Sequence, residues 1–330
     1  PIKSSAASDV YKRQREVSMT KVFIDGQAGT TGLKLAERLQ TRSDLQLIQI
    51  DEAARKDKQA RRQCIAEADI AFFCLPDAAA IEAAELAEGT DTVLIDASTA
   101  HRTVPGWAYG FPELSDTFKN NIINGQRIAV PGCHASGFNA IVYPLIACGS
   151  LPKDYPIVCY SVTGYTGGGK SMIAEYEDPN RYTELDAPRQ YALTQQHKHL
   201  KEMVAVNGLE RTPVFAPIVA DFPRGMVVSV PLFSDLLTRH ATVQDVRDIF
   251  KKHYDQKPFV KVREARESGM IGANNFAGRD DMEIEVGGND ERILVTARFD
   301  NLGKGASGAA VQCMNLVLGT DETTGLNLGE

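Results

Sequence analysis

The sequence predicts an α/β protein: a Rossmann-type parallel sheet, then an α+β unit with a mixed sheet, and a last helix that returns to the first unit. Three observations carry this. Short apolar runs alternate with helical stretches up to about residue 130. A glycine-rich turn separates the first run from the first helical stretch. Beyond about residue 155 the strand-like runs are separated by long polar segments, which suits a mixed or antiparallel sheet. The expected units are 19–134 with 303–330, and 135–302.

Taken in order, Val22-Phe-Ile24 is the first apolar run, and Leu33 to Leu39 follows at helical spacing. Leu45 to Ile50 reads as a strand and Arg55 to Ala68 as a charged helix. Ile70 to Cys74 is a buried strand that Pro76 stops. Ala78 to Glu88 is helical, and Thr92 to Ile95 is a strand running into Asp96-Ala-Ser98. Ile128 to Val130 ends at Pro131-Gly132, ahead of a helix over Phe138 to Ala147. In the second half, Ile157 to Val162, Met226 to Val230, Met282 to Val286 and Ile293 to Phe299 are strand-like, and Ser307 to Leu318 is the final helix.

Of the 330 residues, 43% are hydrophobic, enough to bury a large core. A net charge of -7 supplies no basic field, which argues against nucleic acid as a partner. No apolar run approaches the ~20 residues that span a bilayer, so no membrane association is expected. The six cysteines include no CxxC pair, so a zinc site or disulfide framework is not expected. Five of them read as buried, reduced small hydrophobes, and a reducing cytoplasm is the expected compartment. Residues 1–18 have no hydrophobic signal region. They read as a disordered tail or, from Asp9-Val-Tyr-Lys-Arg-Gln14, as an artefactual extension ahead of Met19.

Gly26-Gln-Ala-Gly29-Thr30-Thr31-Gly32 lies between the first strand and the first helix. In that context glycines let the backbone approach a pyrophosphate, and the helix N-terminus offers free N–H groups and a favourable dipole. A dinucleotide follows as the expected ligand of the first unit. Asp51, at the end of the second strand, suits the ribose hydroxyl of NAD, whereas Arg55-Lys56-Asp57-Lys58 suits a 2′-phosphate. The residues alone leave NAD and NADP open.

Val130-Pro-Gly-Cys133-His-Ala-Ser-Gly-Phe138 carries the chemistry. A thiol near a helix N-terminus is expected to have its pKa lowered, and a thiolate attacks activated carbonyls. A base is available in His197-Lys-His199, with Glu202 three residues on to orient His199. The reading gives His197 the acid–base role and His199 a ligand role. His134 has no evident reason to face the nucleophile, and His240 and His253 read as surface residues. Gly164 through Ser171 also has P-loop spacing, but it lies outside the alternating strand–helix region where such a loop belongs.

Asp25-Gly-Gln-Ala-Gly-Thr-Thr-Gly-Leu33, Phe73-Cys-Leu-Pro-Asp77, Asp96-Ala-Ser-Thr-Ala-His-Arg102, Tyr109-Gly-Phe-Pro-Glu113, Pro131-Gly-Cys-His-Ala-Ser-Gly137, His197-Lys-His199 and Asn301 to Ala310 together resemble the shorter class of N-acetyl-gamma-glutamyl-phosphate reductases. The likeness runs in order from about Lys21 to Gly319; Phe222-Pro-Arg-Gly-Met226 departs from the family's pattern. The resemblance implies NADP as cofactor and a small acyl phosphate as substrate. It also implies a thioester on Cys133 that hydride converts to an aldehyde. In that scheme Gly26, Gly29, Thr30, Thr31, Gly32, Arg55, Ser98, Asn301 and Gly305 belong to the cofactor site, and Arg102, Gly167 and Glu202 to the substrate phosphate. No metal is implied, and a homodimer or homotetramer is expected. The alternatives are a sister enzyme such as aspartate-semialdehyde dehydrogenase and a non-catalytic dinucleotide sensor.

Overall fold

The computed structural model describes residues 19–266 and 268–329; the expectation for 1–18 lies outside the described residues. The first sheet is built from β1 (Thr20–Asp25), α1 (Thr30–Gln40), β2 (Leu45–Ile48), α2 (Lys58–Glu67), β3 (Ile70–Phe73), α3 (Asp77–Leu86), β4 (Val93–Asp96), β5 (Ala108–Tyr109), α4 (Asp116–Ile123) and β6 (Arg127–Ala129). Its strands run in the order β2-β1-β3-β4-β6-β5, all parallel. Because β2 and β3 pair on opposite sides of β1, the strand order reverses there. The carboxyl ends of β1 and β3 therefore open the crevice where ligands of such sheets bind.

The rest comprises α5 (Cys133–Ala147), β7 (Val158–Gly164), α6 (Gly169–Glu177), β8 (Arg189–Gln190), α7 (His199–Asn207), β9 (Val214–Ala220), β10 (Met226–Phe233), α8 (Val243–His253), β11 (Val260–Arg263), β12 (Met282–Gly288), β13 (Arg292–Phe299) and α9 (Gly308–Leu318). Seven strands form the second sheet in the order β11-β12-β13-β10-β7-β9-β8, with parallel and antiparallel pairs mixed.

Burial explains the layers. β1, β3 and β4 are apolar on both faces, so each face of the first sheet needs a cover. On one side Leu35 and Leu39 of α1 pack with Ala310, Val311 and Met314 of α9, so the last helix sits against the first sheet. On the other, Ile65 of α2 and Ala83 and Ala84 of α3 pack on Phe23, Phe73 and Leu94. In the second sheet, alternate residues of β10 (Met226, Val228, Val230, Leu232) point toward Phe138 and Ile141 of α5 and Phe250 of α8. The opposite face of that sheet leaves Tyr160, Val214, Phe233 and Leu294 exposed.

Two cysteine and histidine expectations are corrected. Cys148 caps the C-terminus of α5 and is exposed, not buried. His253, read as a surface residue, is half-buried beside Tyr143 and Tyr254, and burial pushes its pKa down to about 4.

Candidate active site

A cavity of about 380 Å³ lies between the two sheets. Thr30 and Thr31, the first residues of α1, reach it from one side, and Cys133, Arg102, His134, His197, Lys198 and His199 from the other. Gly167, Asn301 and Gly305 also line it. A second hollow of about 280 Å³ shares Thr30, Thr31, Ala97 and Gly169 with the first, so the two form one trench.

The glycine loop has a steric logic. Gly26 adopts φ +84°, and a Cβ there would strike the Cys74 carbonyl at the end of β3. A Cβ on Gly32 would likewise strike the Gly26 carbonyl. Gly29 is the N-cap of α1 and provides no side-chain cap, so the first N–H groups of the helix face the trench uncapped. Arg55 lies outside the trench, exposed and paired with Glu52 at 3.3 Å. Ser98 points away: its hydroxyl donates to buried Asp96 at 2.7 Å and accepts from the Ala100 N–H. The Ser98 hydroxyl is thus already engaged within the fold.

Helix α5 begins at Cys133, not at Phe138. Starting the helix five residues earlier places the thiol in the first turn and swings His134 inward. His134 is buried, with Ser161 Oγ at 2.6 Å from Nδ1 and the Tyr191 hydroxyl at 2.7 Å from Nε2. Its ring centroid lies 5.7 Å from that of His197 and 5.5 Å from that of His199. Sequence reasoning missed His134 and Tyr191 as parts of this cluster.

The expected depression of the Cys133 pKa is not found. Burial pushes the thiol up to about 11, and the nearby Arg102 guanidinium and the His134 backbone N–H offset only part of that. Desolvation of the anion outweighs the helix end here. The thiol is thus neutral at neutral pH.

The imidazoles are neutral too. Burial lowers His134 to about 3 and His197 to about 4, and holds His199 well below its ordinary value, with Arg102 adding to the last. The His199 N–H donates to His197 Nδ1 at 3.1 Å, so neutral His197 carries its proton on Nε2. Both nitrogens of His134 are occupied, whereas His199 Nδ1 is buried with no partner among the described residues.

These shifts have a consequence for stability. In the unfolded chain histidine titrates near 6.5, but His134, His197, His199 and His253 resist protonation in the fold. The unfolded state therefore binds more protons as pH falls below 6.5, by up to four. Stability is fully present above that pH and is lost progressively toward about pH 4. Denaturant midpoints measured across pH should be flat between about 7 and 8 and fall steeply below about 6.5. A midpoint level down to pH 4.5 would contradict the neutral cluster.

Glu202 also departs from expectation. Its carboxylate accepts from the Tyr109 hydroxyl at 2.6 Å, the Gly132 N–H at 2.8 Å and Arg102 Nη1 at 3.1 Å. It makes no hydrogen bond to His199, and an anion so engaged would repel rather than bind a phosphate. Arg102 is held by Glu202 and by the Val130 and Ala97 carbonyls, at 2.8 and 3.2 Å. These bonds use three of its five N–H groups and leave two for an anion in the cavity. Asn301 bridges Gly225 N–H and Thr166 Oγ1, tying the second unit's glycine-rich loop to the turn before α9. That loop, which has P-loop spacing, does follow a strand and precede a helix, but its strand belongs to the mixed sheet.

Residues 15–120 match the semialdehyde dehydrogenase NAD binding domain family, and residues 133–301 the semialdehyde dehydrogenase dimerisation domain family. The chain is 45% identical over 306 residues to the N-acetyl-gamma-glutamyl-phosphate reductases of Brucella ovis and Brucella canis, covering 91% of this chain and 99% of each relative. In fold it is similar to aspartate semialdehyde dehydrogenase from Francisella tularensis, with a TM-score of 0.71 at 14% identity over 91% of this chain and 100% of that one. The aspartate semialdehyde dehydrogenase with NADP from Candida albicans gives a TM-score of 0.65 at 14% identity over 91% and 99%.

Proposed function

The chain belongs to the N-acetyl-gamma-glutamyl-phosphate reductase family, and on that premise we propose that it reduces N-acetyl-γ-glutamyl phosphate with NADPH to N-acetylglutamate 5-semialdehyde and phosphate, a step of arginine biosynthesis in the cytoplasm. The observation that carries this reading is one trench holding both the uncapped N-terminus of α1 and, at its other end, Cys133 among three imidazoles.

The residues fit a dinucleotide. The glycine backbone of the β1–α1 turn and the free N–H groups of α1 suit its pyrophosphate, and Gly305 keeps the space over Cys133 open, since a Cβ there would lie 3.0 Å from that of Cys133. When bound, the cofactor supplies the hydride that takes the acyl group to the aldehyde level.

The protein's own groups handle the rest. The Cys133 sulfur attacks the acyl carbon, an S–C bond forms, and the C–O bond to phosphate breaks. Because the thiol starts protonated, a base must take its proton during attack, and we assign this to His199, which has the unpartnered nitrogen. An incoming phosphate dianion raises the basicity of nearby imidazoles, so the base becomes competent only with substrate in place. His197, with its proton on Nε2, donates to the substrate oxygen as negative charge develops there. This assignment exchanges the emphasis that the sequence alone placed on the two histidines. The two spare N–H groups of Arg102 receive the phosphate.

The exposed apolar residues on the open face of the second sheet, within the segment that matches a dimerisation domain, support a homodimer or homotetramer. Arg55 stands past the end of β2 and remains the cation proposed for the 2′-phosphate.

The test is phosphate-dependent reduction of NADP by N-acetylglutamate semialdehyde, followed by absorbance. Turnover with that aldehyde and little with aspartate semialdehyde is expected; the opposite ranking would move the assignment to the aspartyl-phosphate sister enzyme.

A further inference from the structure

The glycine-rich loop Gly164 to Ser171 is more than a wall of the active site. It leaves β7, makes one tight turn over Tyr165–Gly168, and starts α6 at Gly169. Its open side faces the trench: Gly167, Gly168 and Gly169 line the cavity near Cys133, and Gly169 and Lys170 line the adjoining hollow. The other walls of that hollow are Gly29, Thr30 and Thr31 of the β1–α1 turn, with Cys74, Leu75 and Ala97 at the ends of β3 and β4.

Two glycine turns, one from each unit, thus meet across a narrow groove. The α1 side offers uncapped N–H groups and no cation, because its first turn carries only Thr30, Thr31 and Gly32. The opposite side offers an ammonium group. Lys170 is exposed and makes no ion pair or side-chain hydrogen bond among the described residues. Of the other cations that line the trench, Arg102 is engaged by Glu202 and two carbonyls, and Lys198, also exposed, lines the cavity beside His197 and His199 but not the hollow against the β1–α1 turn.

We infer that Lys170 is the cation for the cofactor's pyrophosphate, so that the second unit closes the phosphate cradle that the first unit opens. A diphosphate carries two negative charges, and a helix N-terminus alone offsets only part of one. A lysine immediately after a glycine turn is the point charge that phosphate sites of this geometry use. The P-loop spacing of this segment therefore serves a diphosphate within a dinucleotide, not a free nucleoside triphosphate. The inference rests on the dinucleotide reading of the groove.

Direct binding tests it without relying on turnover. The full chain and the variants Lys170→Gln and Lys170→Arg are titrated with NADPH and with NADH, following nicotinamide fluorescence. Lys170→Gln should weaken both nucleotides by a similar factor of about ten or more, and Lys170→Arg should recover most of the affinity. Unchanged NADPH affinity in Lys170→Gln would overturn the inference. So would weakening of NADPH alone, which would place the lysine at the 2′-phosphate. A parent chain that binds neither nucleotide would instead overturn the dinucleotide reading, a failure visible before any variant is made.

Discussion

Replacing Cys133 with Ser should lower turnover by roughly a thousandfold or more while leaving NADPH affinity within about twofold. Cys133 is the first residue of α5, beneath a trench whose nucleotide-facing wall is made by other residues. A serine hydroxyl fits that space, but it is far harder to deprotonate, and the neighbouring imidazoles are weak bases in the free enzyme. The two readouts separate the alternatives. A non-catalytic dinucleotide sensor would show intact binding and no turnover even in the parent chain. A structural cysteine would lose stability, not rate.

Glu202→Ala should be among the most destabilising single changes in the active-site region. The carboxylate is buried and joins three elements: Arg102 after β4, Tyr109 in β5 and the Gly132 N–H that precedes Cys133. Removing it leaves a buried guanidinium without its counter-charge and two donors without an acceptor. Breaking a buried ion pair in this way costs about 3–5 kcal/mol. Asn139 donates to the Tyr109 hydroxyl and Asn207 donates to Asn139, so the loss propagates along a buried chain into α5 and α7. The unfolding free energy from denaturant titration should fall by that amount, and the folded fraction should turn over slowly because the Pro131–Gly132 turn no longer holds the thiol. Glu202→Gln, which keeps the shape and one acceptor oxygen, should lose less of both. An alanine variant as stable as the parent would show that Arg102 and Gly132 find other partners.

The first sheet was legible because its signals are local. β1, the glycine turn and α1 follow one another within about twenty residues, and each uses its own chemistry: an apolar run, backbone freedom, then helical spacing. The chemistry of Cys133 was legible for the same reason. What was not legible depends on distant residues. Glu202 meets partners 70 to 100 positions away, and nothing around Glu202 in sequence announces them. Adjacency to Cys133 in sequence gives His134 no reason to face the same way; with the helix starting at Cys133, His134 falls in the first turn and meets Ser161 and Tyr191. β9 escaped notice because Pro217 lies at its centre, where proline normally argues against a strand. The thiol pKa was misjudged because a helix end is visible in sequence and desolvation is not.

The central claim is that the acyl group passes through a thioester on Cys133 formed before any hydride moves. Mixing the enzyme with N-acetyl-γ-glutamyl phosphate in the absence of NADPH, and following both phosphate release and intact mass, tests it most directly. The account predicts a burst of close to one phosphate per active chain and an N-acetylglutamyl adduct that maps to Cys133 and disappears when NADPH is added. Phosphate release that waits for NADPH, or an adduct on any other residue, would contradict it.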